Sequence, residues 1–164
     1  MKLKQLWSKR VAAAVLSTTI AISGGFVVNP QPTQAAVSAT TKANQIINYG
    51  YRFLGTPYKF GATYGQTRNF DCSSFTKYIF AKYGITLPRT AAQQAKVGSY
   101  VSFRNLKRGD LVFFRVPGRS GIGHVGVYLG NNKFLNTYGA GGVKVSTINT
   151  YWKSKYVTAR RVIR

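Results

Sequence analysis

The chain has 164 residues, of which 45% are hydrophobic, enough apolar material for one compact domain but too little for two. Its 24 Lys and Arg residues face only 2 acids, so the formal net charge is +22. With so few acids, a single His and a single Cys, paired-carboxylate catalysis is excluded and neither a metal nor a cofactor is expected. The charge indicates either a solvated basic surface or a polyanionic partner.

The first 35 residues have the organisation of a secretory signal peptide. A basic stretch over 1–10 precedes an uncharged, largely apolar run over 11–28, and a small-residue site follows it. Cleavage is predicted after Ala35 or Ala36. The alternative is a retained membrane anchor, but Ser, Thr and Gly dilute the apolar run and favour a cleaved signal.

Export changes the predicted partner. Removing the four positive charges of residues 1–10 from the total of +22 leaves +18. Outside the cell nucleic acid is not expected as a partner, whereas the phosphate and carboxylate polymers of a bacterial wall are. We therefore expect a monomer that is secreted, either extracellular or associated with the cell wall.

Residues 36–42 are small and polar and predict a flexible lead before a single domain over 43–164. Three helices are predicted next from apolar residues at helical spacing, from an Asp that can cap the second helix and from Gly residues that end helices. They span 43–54, 71–83 and 90–97. Residues 58–70, rich in Gly and aromatic residues, predict a loop.

Beyond Gly98 the pattern changes to short runs of Val, Tyr and Phe, which predict strands. The predicted strands are 111–116, 124–129, 134–137, 143–145 and 156–163. Asn131 and Asn132 form a turn that makes 124–129 and 134–137 a hairpin. Helices followed by an antiparallel sheet indicate an α+β domain.

Cys72 is the first candidate for chemistry, because it lies at the predicted start of the second helix. Free N–H groups and the helix dipole at that position favour a thiolate. An isolated thiol can also be a small buried hydrophobe or form an intermolecular link, and the position alone does not choose between these.

His124 is the only histidine, and it opens an otherwise apolar strand. If the hairpin pairs about its Asn turn, Asn136 returns close to His124. Its side-chain oxygen could then accept from one ring nitrogen and leave the other facing Cys72, which is the arrangement of a nucleophile, a base and an orienting residue. Taken by itself, the position of Asn136 favours an ordinary polar residue at a strand edge.

Five ordered motifs resemble the NlpC-type cell-wall endopeptidases, a papain-like group. They are Gly55-Thr56-Pro57-Tyr58, Asp71-Cys72-Ser73-Ser74-Phe75, Leu87-Pro88-Arg89-Thr90, Leu106-Lys107-Arg108-Gly109-Asp110-Leu111-Val112-Phe113-Phe114 and Gly123-His124-Val125-Gly126-Val127-Tyr128-Leu129-Gly130. The resemblance covers nearly all of 46–162. It implies a papain-like fold with N-terminal helices packed on a C-terminal antiparallel sheet.

The resemblance also implies roles for individual residues. Cys72 would be the nucleophile and His124 the base, with Asn136 in the third position, which is most often His in the family. Tyr58 would donate to the substrate or the oxyanion, although it could be a packed loop aromatic. Asp71, which could cap the helix or bind a substrate amine, and Ser73 match positions that line the substrate groove.

The function implied is a secreted cysteine endopeptidase of peptidoglycan stem peptides, acting at the bond between D-γ-glutamate and a diamino acid. The alternative is a cationic wall-binding protein that keeps the peptidase fold without turnover. A membrane-directed cationic toxin is a third hypothesis, but the basic residues are scattered along the chain and not arranged as a stripe.

Overall fold

The computed structural model describes residues 34–164, and it describes side-chain environments from residue 38 onward. The predicted signal segment lies outside this range apart from Gln34 and Ala35. Within the described residues, no helix combines the length and the apolar character that crossing a bilayer requires.

The elements follow the predicted order of helices first and strands second. The helices are α1 (Gln34–Tyr51), α2 (Cys72–Ala81), α3 (Ala91–Gln94) and α4 (Thr150–Lys155), with a 3-10 turn at Phe103–Asn105. The strands are β1 (Ser99–Val101), β2 (Leu111–Phe114), β3 (His124–Gly130), β4 (Lys133–Thr137), β5 (Val143–Thr147) and β6 (Tyr156–Arg161). The α+β class is therefore confirmed, whereas β1, α4 and the 3-10 turn were not predicted.

The first helix begins earlier than predicted, so the flexible lead expected over 36–42 is wrong. Residues 36–42 belong to α1, which starts at Gln34. Ala39 packs against the core one turn before Ala43, which extends the buried stripe of Ile46 and Ile47 toward the N-terminus. The stretch before Ala43 is therefore helical, and Ala39 contributes to the stripe that packs on the domain.

The six strands form one antiparallel sheet in the order β1-β6-β2-β3-β4-β5. One face packs against α1 and α2 around a large apolar cluster that includes Phe75, Ile79 and Leu135. The other face carries a smaller cluster centred on Phe114 and Phe134, against which Trp152 of α4 packs. The sheet therefore separates the helical core from a second, mainly aromatic layer.

The β3–β4 hairpin has the predicted Asn turn. Asn131 and Asn132 both have positive φ, 49° and 54°, which is the backbone that a two-residue hairpin turn with the correct twist requires. The register pairs Val127 with Leu135, which places Asn136 opposite Gly126. A side chain at Gly126 would collide with Phe134 and Asn136, so a glycine here gives Asn136 room to reach along the sheet toward His124.

Candidate functional site

Cys72 is the first residue of α2, and the sequence explains why the helix begins there. Asp71 caps the helix: its carboxylate accepts from the Ser74 N–H at 2.7 Å, while the Ser74 hydroxyl accepts from the Asp71 N–H at 3.0 Å. This reciprocal pair is a capping box, worth about 1 kcal/mol. It fixes the thiol at the helix N-terminus, as the sequence predicts.

The thiol lies against the start of β3. Cys72 Sγ is 3.9 Å from the Gly123 carbonyl oxygen, to which it donates, and the Val125 N–H donates to the sulfur. These two backbone groups belong to the residues on either side of His124. The Cys72 thiol therefore lies against the backbone that flanks His124, 52 positions further along the chain, at the N-terminal end of β3.

The predicted lowering of the thiol pKa at the helix N-terminus is wrong for the resting site. Burial raises the pKa of Cys72 to about 11, although the N–H groups of Val125 and Ser73 oppose the rise. The physical reason is that only 8% of Cys72 is exposed, and loss of water destabilises a thiolate more than the nearby N–H groups stabilise it. The resting thiol is protonated at neutral pH.

Asn136 contacts His124 as the hairpin predicted. His124 Nε2 and Asn136 Oδ1 are 3.2 Å apart, and both residues are fully buried. Asn136 Nδ2 donates to the Ser146 hydroxyl at 2.9 Å, which leaves its oxygen to face the imidazole. Since that oxygen can only accept, Nε2 carries the proton and Nδ1 is the basic nitrogen.

Nδ1 of His124 is buried and has no hydrogen-bond partner among the described residues. A buried, unpartnered nitrogen lone pair is costly, and such groups are often found at functional sites. It belongs to a ring whose flanking residues, Gly123 and Val125, contact the Cys72 sulfur through their backbones, so Nδ1 is the candidate proton acceptor of the site.

Aromatic side chains enclose the imidazole. Trp152 stacks on it with ring centroids 5.1 Å apart and an interplanar angle of 29°, and Tyr138 lies at the same centroid distance. Burial in this setting lowers the pKa of His124 to about 4, although the hydrogen bond that His124 donates to Asn136 opposes the fall. The site at neutral pH therefore holds a neutral thiol and a neutral imidazole.

We expect Asn136→Ala to lower kcat by about 10²-fold. This is less than the roughly 10⁴-fold cost of replacing the charged orienting residue of a Ser-His-Asp triad. Losing the Asn136 contact also lowers the pKa of His124 further, so the acidic limb of the rate profile moves to lower pH. Asn136→Asp moves that limb to higher pH, because a carboxylate favours imidazolium. Unshifted pH profiles in both variants would show that Asn136 has only a packing role.

A groove of about 380 Å³ opens beside the thiol. Its walls include Tyr58, Asp71, Cys72 and Ser73, so four of the six predicted site residues line it together. Burial raises the pKa of Tyr58, and a second contribution comes from Cys72, which places the phenol near the sulfur. Tyr58 is held by a backbone bridge to Phe70 and by an edge contact with Tyr138.

Asp71 is a helix cap and also half of an ion pair. Arg89 donates to both of its carboxylate oxygens, at 3.1 and 2.5 Å, and to the Ser73 hydroxyl at 3.1 Å. The Ser73 hydroxyl in turn donates to Asp71 at 3.1 Å, and Arg89 also reaches the Ala62 carbonyl. These contacts lower the pKa of Asp71 despite its burial, so the carboxylate is ionised and already neutralised. It does not offer a free charge to a substrate amine.

We expect Arg89→Met to destabilise the fold by about 2 kcal/mol at pH 7. Breaking a buried ion pair costs about 3–5 kcal/mol, and we discount this because the Arg89 side chain is 35% exposed. The native pKa of Asp71 lies below 3.8, so the contribution of the pair exists above that pH and is lost as pH falls through the native pKa. Urea unfolding of both proteins should therefore give curves that converge on acidification.

Arg104→Met is the matched control, because Arg104 is exposed and makes no ion pair within residues 34–164. Its stability should differ from wild type by less than about 0.5 kcal/mol. A loss as large as that of Arg89→Met would show that general charge, not the Asp71 pair, determines the effect.

Three residues of the site were not singled out from the sequence. Trp152 and Tyr138 reach His124 only through the tertiary fold, and Arg119 lies in a loop that carries no motif. One local signal could have located Trp152: Asn149 is a typical N-cap residue, and its side chain accepts from the Trp152 N–H at 3.2 Å.

A family model described as the NlpC/P60 family matches residues 55–161, which include every site residue named above. The chain belongs to the NlpC/P60 family. It is 36% identical over 128 residues to the gamma-DL-glutamyl hydrolase of Bacillus subtilis (strain 168), covering 77% of this chain and 31% of the relative. It is 41% identical over 111 residues to the murein DD-endopeptidase MepS/murein LD-carboxypeptidase of Escherichia coli (strain K12), covering 66% and 57%.

Solved structures agree with this membership and confirm the papain-like NlpC-type fold. An NlpC/P60 family protein from Bacillus cereus ATCC 10987 superposes with a TM-score of 0.69 at 34% identity, covering 74% of this chain and 40% of that one. The peptidoglycan hydrolase RipB from Mycobacterium tuberculosis gives 0.66 at 30% identity, covering 82% and 73%. The NlpC/P60 domain spans 31% and 57% of the two curated relatives, so each of them contains further sequence.

Proposed function

We propose that this NlpC/P60 domain is a cysteine endopeptidase that hydrolyses the peptide stems of bacterial peptidoglycan, with Cys72 as nucleophile, His124 as base and Asn136 as the orienting residue. The observation that carries the proposal is that the Cys72 thiol, beside an open groove, contacts the backbone immediately before His124, while Asn136 contacts the His124 ring. Relatives named as endopeptidases and a peptidoglycan hydrolase support it.

The reaction follows from the neutral state of the resting pair. Cys72 Sγ attacks a peptide carbonyl carbon in the groove, and its proton moves to His124 Nδ1 as the sulfur–carbon bond forms. No thiolate accumulates beforehand, because the thiol pKa of about 11 and the imidazole pKa of about 4 both favour the neutral forms. Imidazolium then gives the proton to the leaving amine, and the acyl-enzyme is hydrolysed by water.

Two donors are positioned for the oxyanion. Cys72 is the first residue of α2, where backbone N–H groups have no partner within the helix. The Tyr58 hydroxyl lines the same groove, and burial raises its pKa, so the phenol keeps its proton at neutral pH and can donate. Donors aimed at the developing charge contribute about 3 kcal/mol each in related chemistry.

The proposed scissile bond is the one between D-γ-glutamate and the diamino acid of the stem. This finer assignment is supported by the name of the Bacillus subtilis relative, a gamma-DL-glutamyl hydrolase. The bond is an amide of a side-chain carboxyl group, and attack on it needs the same nucleophile, base and oxyanion donors as an ordinary peptide.

We also propose that the protein is secreted and that anionic wall polymers retain it. Both acids of the chain are paired, Asp71 with Arg89 and Asp110 with Arg161, so the remaining basic residues of 34–164 are not neutralised by carboxylates of their own chain. Binding to purified walls should weaken as salt rises, because surface charges are screened over about 8 Å at physiological ionic strength.

Muropeptide mass spectrometry tests the proposed activity. Peptidoglycan digested by the protein should release fragments that begin with the diamino acid, and the Cys72→Ala variant should release none. The alternative of a wall-binding protein without turnover is favoured by the neutral residue Asn136, which stabilises imidazolium less than a charged acceptor would. Intact stems after prolonged incubation, with undiminished wall binding, would support that alternative and overturn the proposal.

We expect kcat/KM to be nearly constant between about pH 5 and 10. His124 accepts a proton only when neutral, so activity falls as pH drops through its pKa of about 4. The thiol must still carry the proton that the leaving amine takes, so activity falls again toward the Cys72 pKa of about 11. A profile measured on a short stem peptide with a midpoint near 6.5 would contradict the buried, neutral imidazole described here.

A further inference from the structure

Three charged side chains line the groove, and the charges of two of them cancel. Asp71 and Arg89 form the ion pair described above, and the remaining charge is the guanidinium of Arg119. Within residues 34–164, Arg119 makes no hydrogen bond and no salt bridge to another side chain. The groove therefore has a net positive charge that belongs to one residue.

Arg119 is held close to the catalytic residues by its aliphatic stem. The stem lies against Gly123, where an added Cβ would be 3.2 Å from the Arg119 Cδ atom. Gly123 directly precedes His124, and its carbonyl accepts from the Cys72 thiol. Burial raises the pKa of both Cys72 and Tyr58, and the positive charge of Arg119 opposes the rise in each. The guanidinium therefore lies near both groups.

The guanidinium is supported by Phe60, which also lines the groove. Its central carbon is 4.1 Å from the ring centroid of Phe60, a residue that is 65% exposed. Stacking occupies the face of the planar group and leaves its N–H edge free. An exposed Phe that supports an Arg with unused donors is the arrangement expected where a planar anion is bound through two parallel hydrogen bonds.

We propose that Arg119, supported by Phe60, forms a subsite that binds a carboxylate of the stem peptide. The inference rests on the proposed function and deepens it, because it assigns a specificity-determining residue. A glutamate linked through its side chain keeps a free α-carboxylate next to the scissile bond, and the diamino acid can carry a second one. The subsite therefore distinguishes stems with that carboxylate free from stems in which it is amidated.

The test uses four short stem peptides: both carboxyl groups free, only the glutamate α-carboxyl amidated, only the diamino-acid carboxyl amidated, and both amidated. We expect wild type to lose about 10- to 100-fold in kcat/KM when the recognised carboxyl is amidated. The position whose amidation causes the loss identifies the source of the carboxylate. In Arg119→Gln that preference should shrink to within about threefold. The change should come mainly from a lower kcat/KM for the peptide whose recognised carboxyl group is free.

Two further variants complete the design. Arg119→Lys keeps the charge but lacks the planar fork, so it should recover only part of the preference. Arg52→Gln is the matched control: Arg52 is also exposed and lies over an aromatic ring, Tyr49 at 5.9 Å, but it does not line the groove. It should keep the wild-type ratio between peptides.

Binding measured by calorimetry on Cys72→Ala separates the two proposals. If wild type cleaves none of the peptides, the proposed function fails, yet a carboxylate preference in binding that disappears with Arg119→Gln still supports the subsite. If wild type cleaves or binds all four equally, or if Arg119→Gln keeps the full preference, the subsite is overturned while the endopeptidase proposal stands.

Discussion

Cys72→Ala is expected to remove stem-peptide cleavage, with a fall in kcat/KM of at least about 10⁴-fold. No other residue of the chain can supply a thiol, because Cys72 is its only cysteine. Loss of a nucleophile removes the covalent route entirely, and only the slow reaction supported by binding and the oxyanion donors remains. The rate on a synthetic stem peptide, followed by mass spectrometry, measures the effect.

Folding and wall binding should survive this substitution. The change removes one sulfur atom from a residue at the edge of the core, which costs about 1 kcal/mol. The basic residues that would hold the protein on the wall lie elsewhere. Activity within tenfold of wild type, in a variant that sediments with walls normally, would rule out Cys72 as the nucleophile.

His124→Gln is expected to lower kcat/KM by about 10³-fold. Gln is close to His in size, and its side-chain amide can still donate to Asn136, so the hydrogen bond between residues 124 and 136 is retained. The Gln side chain cannot take the thiol proton. General-base catalysis of this kind contributes about 10²- to 10⁴-fold. Steady-state kinetics at pH 7 measures the loss, and a thermal melt checks that the aromatic layer around residue 124 is intact.

The double variant distinguishes a working pair from two independent defects. If Cys72 and His124 act in the same step, Cys72→Ala combined with His124→Gln should be no slower than Cys72→Ala alone. A loss equal to the product of the two single losses would mean that His124 acts outside the thiol chemistry.

The parts of the fold that the sequence predicts are those determined by local signals. Asp71 before an apolar stripe predicts a capped helix with Cys72 at its start, and the cap is present. Two Asn residues between strands predict a tight turn, and the hairpin it forms, with a register shift between Tyr128 and Gly130, brings Asn136 to His124. Each of these features needs only a few consecutive residues to specify it.

The missed elements are short and depend on tertiary contacts. α4 spans six residues, Thr150–Lys155, and β1 only three, Ser99–Val101, which is too few to show a hydrophobic period. β1 exists because it pairs with β6 at the far edge of the sheet. Trp152 therefore reaches the imidazole from a helix whose one local sequence signal is its N-cap residue, Asn149.

Electrostatics were the least predictable part of the site. A thiol at a helix N-terminus suggests a thiolate, but burial has the larger effect and raises its pKa. Likewise Asp71 beside the nucleophile suggests a free charge, but Arg89 from 18 positions further along neutralises it. Both outcomes depend on how much water and which partners the fold leaves around a group, and neither is a property of neighbouring sequence.

The hydrogen bond from the Cys72 thiol to the Gly123 carbonyl has a consequence for chemical durability. Peroxide and other oxidants attack the deprotonated sulfur, so a cysteine that keeps its proton until a substrate arrives is converted to sulfenic acid only slowly. With no second cysteine in the chain, such damage could not be repaired by forming an internal disulfide. The burial that keeps the thiol protonated should therefore also slow its oxidation.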